Sequence, residues 1–325
     1  MRGFRRMLAL VSVVALAAGC GGEGSGSGAE GGGGGRLSIA TGGTSGVYFV
    51  YGGGLAKVIS SNLDGYKATA ETTSASVDNL ILIKDGGSDI AFTLADTALD
   101  AVEGREAFKE KVPMRVLAQI YDNYTQVVAK AGSGIKTIED LKGKRVSVGA
   151  PNSGTEVIAD RVLEAAGMDP KGDIKRQGLG VEESVQAMKD GSIDAFFWSG
   201  GLPTGAITDL VTSDKITLLD TTVYTDKLTG KFGDVYRNDT IPKGTYKGVD
   251  KDVPTIAVPN YLVVSETMDD KLAHDLTKLL FDQKQDLVAV HPEAKNLDPK
   301  KGAEVIAPIE LHPGAKKYYD ESGGS

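Results

Sequence analysis

The chain has 325 residues, 41% of them apolar and 25% charged, a formal net charge of −8 and one cysteine. That length and apolar content suit one large domain or two lobes with real cores, and exclude a disordered chain. The acidic balance argues against nucleic acid or anionic lipid as a partner of the general surface, and a lone cysteine excludes an intrachain disulfide.

Residues 1–19 read as a secretory signal. Arg2, Arg5 and Arg6 precede an apolar run over residues 7–18, which closes on Ala17-Ala18-Gly19-Cys20. The run is too short for a comfortable membrane span. Cys20 directly behind it looks like the lipobox of a bacterial lipoprotein, with Leu16 one place earlier than in the commonest pattern. Lipidation of Cys20 would hold the protein outside the cytoplasm on the cell membrane. Losing the signal removes three arginines and takes the formal charge from −8 to −11. Residues 20–35 are then the lipidated cysteine and a tether of almost only Gly, Ser and Glu, too polar and too costly in entropy to join a core.

From Arg36 short apolar runs alternate with longer amphipathic ones, the pattern of α/β units on a mainly parallel sheet. A strand is expected over residues 37–40 and a helix over 47–61. Between them Thr41-Gly42-Gly43-Thr44-Ser45-Gly46 forms a loop whose glycines let backbone N–H groups approach a ligand and whose hydroxyls can cap or bind. It fits neither Gly-x-Gly-x-x-Gly nor a P-loop, so a nucleotide is not favoured. Gly52-Gly53-Gly54 inside the helix costs about 1 kcal/mol per glycine against alanine, which points to close packing there.

A second strand over 66–71 runs into the hydroxyl cluster Thr72-Thr73-Ser74-Ala75-Ser76 and a second helix. The third strand covers 89–93, with its helix over 94–102. Strands over 114–120 and 126–130 flank Tyr121-Asp122-Asn123-Tyr124, a crossing point into a second lobe. There the pattern recurs: a strand ending at Gly149, the loop Ala150-Pro151-Asn152-Ser153-Gly154-Thr155, and a helix over 157–166. A short strand over 173–178, a helix over 181–190 and a strand over 193–199 follow. Trp198 at the end of that strand is either a ligand wall or core. A strand over 215–219 precedes a loop-rich stretch to Asp252, residues 255–264 read as a strand returning to the first lobe, and one amphipathic helix is expected over 269–290. The tail ends in a polar helix end at Tyr318-Tyr319.

Recurring hydroxyl loops and the returning strand give an α/β, two-lobed fold with a ligand cleft between lobes: residues 36–120 plus 250–325 as lobe I and 121–249 as lobe II. A small anion held between the loops would meet Thr44, Ser45, Gly46 and Tyr48, then Ser74, Ser76 and Thr93, and from the other lobe Ser153, Gly154, Thr155 and Trp198. None of these loops contains an arginine, so the expected clamp is hydroxyls and helix N-termini. His274, His291 and His312 share no metal-ligand spacing, and no nucleophile elbow has its supporting context. No catalytic residue, metal or cofactor is expected, and nothing demands an enzyme.

Residues 39–51, Ser74-Ala75-Ser76-Val77, Asp89-Ile90-Ala91-Phe92, residues 140–146, Ser153-Gly154-Thr155-Glu156, residues 191–197, Leu311-His312-Pro313-Gly314-Ala315 and Tyr318-Tyr319 together resemble the TAXI family. These are the extracytoplasmic solute receptors of one branch of the tripartite ATP-independent periplasmic (TRAP) transporters. The resemblance spans Arg36 to the C-terminus and implies a two-lobed receptor that closes on a small organic anion, such as glutamate or a dicarboxylate, and delivers it to an ion-driven membrane permease. Where that family usually carries a polar residue after the third strand, often Gln, this chain has Leu94 followed by Ala95, which suggests a less polar ligand. A substrate-binding lipoprotein of an ABC importer and a ligand-sensing subunit are the competing readings.

Overall fold

The computed structural model describes residues 34–323, so the expected signal segment and Cys20 lie outside the described residues. The order begins β1 (Gly35–Ala40), α1 (Val47–Asn62), β2 (Tyr66–Glu71), α2 (Ser76–Asp85), β3 (Ile90–Leu94), α3 (Ala95–Glu103) and β4 (Met114–Lys130). It continues through β5 (Arg145–Ser147), α4 (Gly154–Ala165), β6 (Lys175–Gln177), α5 (Val181–Lys189), β7 (Ala195–Gly200), α6 (Gly205–Ser213) and β8 (Ile216–Leu218). The remaining elements are α7 (Thr225–Phe232), β9 (Arg237–Ile241), β10 (Val253–Ser265), α8 (Asp270–Asp282), α9 (Lys284–Val290), α10 (Pro299–Gly302) and α11 (Pro313–Ser322).

The strands form one sheet in the order β2-β1-β3-β10-β4-β7-β5-β6, with β8 beside β4 and β9 beside β10. Between strands, parallel pairing is confined to the two flanks, β2-β1-β3 and β7-β5-β6, and every strand that β4 or β10 pairs with runs antiparallel to it, β4 adding one isolated parallel bridge from Val116 to Leu311. The expectation of a mainly parallel sheet is thus corrected to a mixed one. The returning strand is present: β10 inserts between β3 and β4.

The expected break at Tyr121–Tyr124 is absent, because β4 runs unbroken for 17 residues. It pairs with β10 from Met114 to Tyr124 and with β7 from Tyr124 to Ala129, so the change of neighbour falls at Tyr124 inside a continuous strand. The polar residues of this stretch stay in the strand because β10 pairs along all four of them, with β7 joining from the other side at Tyr124. The single helix expected over 269–290 is two, divided at Gln283, which has left helical geometry at φ −102°, ψ 23°. The stretch taken as loop-rich contains α7 and β9. Tyr318 and Tyr319, expected at a polar helix end, are buried on α11.

Of the three adjacent glycines in α1, two sit where a side chain would collide. A Cβ on Gly52 would lie 2.5 Å from Thr41 Cγ2, and one on Gly54 3.0 Å from Val290, whereas Gly53 meets nothing within 4 Å. Those two absences let α1 lie flat on the sheet and α9 lie on α1.

One core cluster is shared by the two flanks: Leu94, Ala98 and Leu99 from β3 and α3 pack with Val146, Ile158, Val162 and Phe197. A buried polar network reinforces this contact. Arg161 on α4 pairs with Asp100 and lies 3.5 Å from Asp96, both on α3, and it donates to Tyr236 Oη at 2.7 Å. Its guanidinium also stacks 4.2 Å above the Phe232 ring. The two flanks therefore meet below the cavity they enclose.

Candidate functional site

Loops at the carboxyl ends of β1, β2, β3, β5, β6 and β7 surround one cavity of about 480 Å³. Open α/β sheets place ligands at this edge, because every crossover helix there starts with its free N–H groups turned to the same side. The first turns of α1, α2, α4 and α5 all border the cavity.

Each loop is built from local chemistry. Ser153 caps α4 by accepting the Glu156 N–H at 3.0 Å, and Glu156 reaches back to the Asn152 N–H at 2.8 Å, a capping box closed one residue early. Asn79 holds the β1 and β3 ends together, its amide donating to the carbonyls of Thr41 and Phe92, each at 2.7 Å. Ala75, before α2, has φ +83°, a conformation that an L side chain rarely adopts, and Asn152 before α4 has φ +63°. Such backbone costs about 1–3 kcal/mol for a residue like alanine, and it persists only where the surroundings impose it. Gly154 is required by contact: a Cβ there would stand 2.5 Å from Leu94 Cδ1 and 2.7 Å from Ser76 Oγ.

Of the residues singled out from the sequence, Thr44, Gly46, Tyr48, Ser74, Ser76, Ser153, Gly154, Thr155 and Trp198 border the cavity. Two do not. Thr93 is fully buried within β3, where its hydroxyl donates to the Leu94 carbonyl, because the strand's last side chain to reach the cavity is Leu94. Ser45 turns its hydroxyl inward, and its N–H donates to Glu182 Oε1 at 2.8 Å. The hydroxyl oxygens of Ser76, Ser153 and Thr155 accept backbone N–H groups from Leu94, Glu156 and Ser199 at 3.1, 3.0 and 3.1 Å. With that acceptor role filled by the fold, Ser153 and Thr155 are left with a proton to donate. Trp198 is half-buried; its Nε1 donates to Thr204 Oγ1, and its ring passes 3.5 Å from the position a Cβ on Gly46 would take. It is therefore a wall where the second flank touches the first loop.

Sequence reasoning missed the floor. Tyr121, Asn123 and Ser199 border the cavity, are 2%, 4% and 6% exposed, and carry Oη, Oδ1 and Oγ atoms with no hydrogen-bond partner among the described residues. Buried polar atoms are normally paired, so three unpaired ones at a cavity point to a polar occupant. The only signals for them were the expected crossing point at Tyr121 and Asn123 and the strand end at Ser199. Tyr48 donates to Asn260 Oδ1, and burial pushes its phenol, like that of Tyr121, well above the ordinary value, so both stay protonated hydrogen-bond donors.

Glu182 and Glu183, at the start of α5, were also missed. No Lys, Arg or His borders the cavity, and no cluster that could hold a metal exists among the described residues. The apolar Leu94, together with Val47, Leu179 and Val181, covers part of the wall.

Among solved structures, a protein from Bordetella bronchiseptica RB50 is similar over 89% of this chain and 81% of its own, at 19% identity and a TM-score of 0.50. A mutant of ArgBP from T. maritima is similar over 80% of this chain and 93% of its own, at 13% identity and a TM-score of 0.50. The periplasmic aliphatic sulphonate binding protein SsuA from Escherichia coli matches over 88% and 82%, at 14% identity and a TM-score of 0.45. The fold is that of the two-lobed periplasmic binding proteins. The family model for NMT1-like proteins matches residues 39–323, and this chain belongs to the NMT1-like family.

Proposed function

We propose that this protein is an extracytoplasmic solute receptor that captures a small organic anion in the cavity and hands it to a membrane permease. The observation that carries the reading is the convergence of four helix N-termini on a cavity that, among the described residues, no cationic side chain borders. Oriented N–H groups and hydroxyl protons favour negative charge there without a counter-ion. A volume of about 480 Å³ suits a small metabolite, and Leu94 favours one with an apolar portion.

The residue-level resemblance to TAXI receptors favours a TRAP permease driven by an ion gradient, with a carboxylate such as a glutamate-like amino acid as cargo. An ABC importer as recipient fits the fold equally well, since the fold does not choose the permease. Membrane attachment through lipidated Cys20 belongs to the same proposal, and Cys20→Ser should release the protein from membranes. Native mass spectrometry of the protein as purified identifies a retained acid. Uptake into vesicles that responds to an ion gradient and ignores ATP supports the TRAP reading, and the reverse supports an ABC importer. Thr155→Val removes the hydroxyl proton, and with it the acceptor of the Ser199 N–H, while keeping shape, and should weaken the identified acid by at least the roughly ten- to hundred-fold that a charge-assisted hydrogen bond of about 1.5–3 kcal/mol is worth. Unchanged binding in calorimetry would remove the anion from this cavity.

A further inference from the structure

Glu182 reaches across the cavity mouth from α5 to the first loop on the opposite flank. Its Oε1 accepts from the Ser45 N–H at 2.8 Å and from Thr44 Oγ1 at 3.0 Å. These donors belong to the loop that leads into α1, one and two residues ahead of its N-cap Gly46, and no side chain caps that helix start. Oε2 of the same carboxylate lies 3.7 Å from the position a Cβ on Gly43 would occupy, so the carboxylate sits beside that glycine. Its neighbour Glu183 also borders the cavity but folds onto its own loop, its Oε2 lying against Gly180.

We infer that Glu182 is an internal competitor for the ligand: its carboxylate occupies the anion position of the first loop, and an acidic ligand reaches Ser45 N–H and Thr44 Oγ1 only by displacing it. The inference rests on the anion-binding reading above and adds the residue that sets its threshold. An anionic group can make the exchange, since it replaces one carboxylate by another, whereas a neutral polar group cannot match the charge-assisted bonds it must break. The three unpaired polar atoms of the floor hold the other end of the ligand, so displacement is needed only at the mouth.

The test follows the Ser45 amide resonance of ¹⁵N-labelled protein during titration with sodium acetate and sodium succinate at constant ionic strength, with calorimetry on the same samples. Wild type, Glu182→Ala, Glu182→Gln and Glu183→Gln are compared. Glu182→Ala should lower the midpoint for Ser45 by roughly two- to five-fold, the value of an exposed charge-assisted contact. Glu182→Gln, which keeps an acceptor but loses the charge, should fall between it and wild type. Glu183→Gln removes the same charge beside the same cavity and should leave the midpoint nearly unmoved. Equal shifts in the two glutamine variants, or weaker binding in Glu182→Ala, would overturn the inference. Heat of binding with a stationary Ser45 resonance in all four proteins sinks the competitor and spares the cavity reading; no heat and no shift in any of them sinks both.

Discussion

Arg161 on α4 forms an ion pair with Asp100 on α3, both side chains are at most 5% exposed, and the pair joins the two flanks of the sheet beneath the cavity. Arg105 supports the same carboxylate from the exposed side, its Nε donating to Asp100 Oδ1 at 2.8 Å. Removing one partner of a buried pair strands the other in a poorly solvated interior, at a cost of about 3–5 kcal/mol. Arg161→Leu should therefore lower stability in urea unfolding by that order, and adding Asp100→Leu should recover part of the loss. A single-variant cost below about 1 kcal/mol would show that water reaches the pair.

Glu293, in the turn after α9, accepts the Leu202 N–H at 2.7 Å and so fastens the C-terminal segment to the loop after β7. Burial pushes its carboxyl up from 4.5 to about 7. Between those values the folded protein holds a proton that the unfolded chain releases, so stability falls as pH rises through the window, by about 3 kcal/mol at most. Glu293→Gln abolishes this titration. Thermal melting of both proteins from pH 4.5 to 8 should show wild type losing ground to the variant as pH rises, and parallel curves would refute the assignment.

The glycines of α1 separate a conformational cost from a packing need. Gly53→Ala meets open space and should stabilise the protein by about 0.5–1 kcal/mol. Gly52→Ala puts a methyl 2.5 Å from Thr41 Cγ2 and 3.3 Å from Phe92, and should destabilise by about 1–3 kcal/mol. Melting temperatures that move in the same direction for both substitutions contradict the packing account.

Gly154→Ala tests the seam between the flanks. Its methyl would press on Leu94 and Ser76 together, forcing the start of α4 away from α2 and α3. Ligand affinity should fall by more than ten-fold, and Trp198 fluorescence should shift as the wall moves. Affinity and fluorescence equal to those of wild type would mean the seam yields without cost.

Solution scattering addresses movement of the two flanks. A ligand that closes them should reduce the radius of gyration, with β4 and β10 as the shared strands about which they turn. An unchanged profile at saturating ligand would leave the lobes rigid.

Most elements were legible in the sequence because their causes are local. Ser153 with Glu156 marks a helix start, apolar runs such as Ile90-Ala91-Phe92 mark strands buried on both faces, and glycine-hydroxyl loops mark helix N-termini near a ligand. Nine of the eleven residues named from those loops border one cavity for that reason. What failed was whatever depends on partners distant in sequence. Tyr121 and Asn123 read as a crossing between two strands until β10 pairs along them, and Gln283 ends a helix with no glycine or proline to announce it. Nothing local marks Glu182, and only the fold carries it across 137 residues of chain to the Ser45 N–H. Loop chemistry is written in neighbouring residues; which loops face each other, and which polar atoms are left unpaired between them, is decided by strand order, a choice that packing of the whole sheet makes.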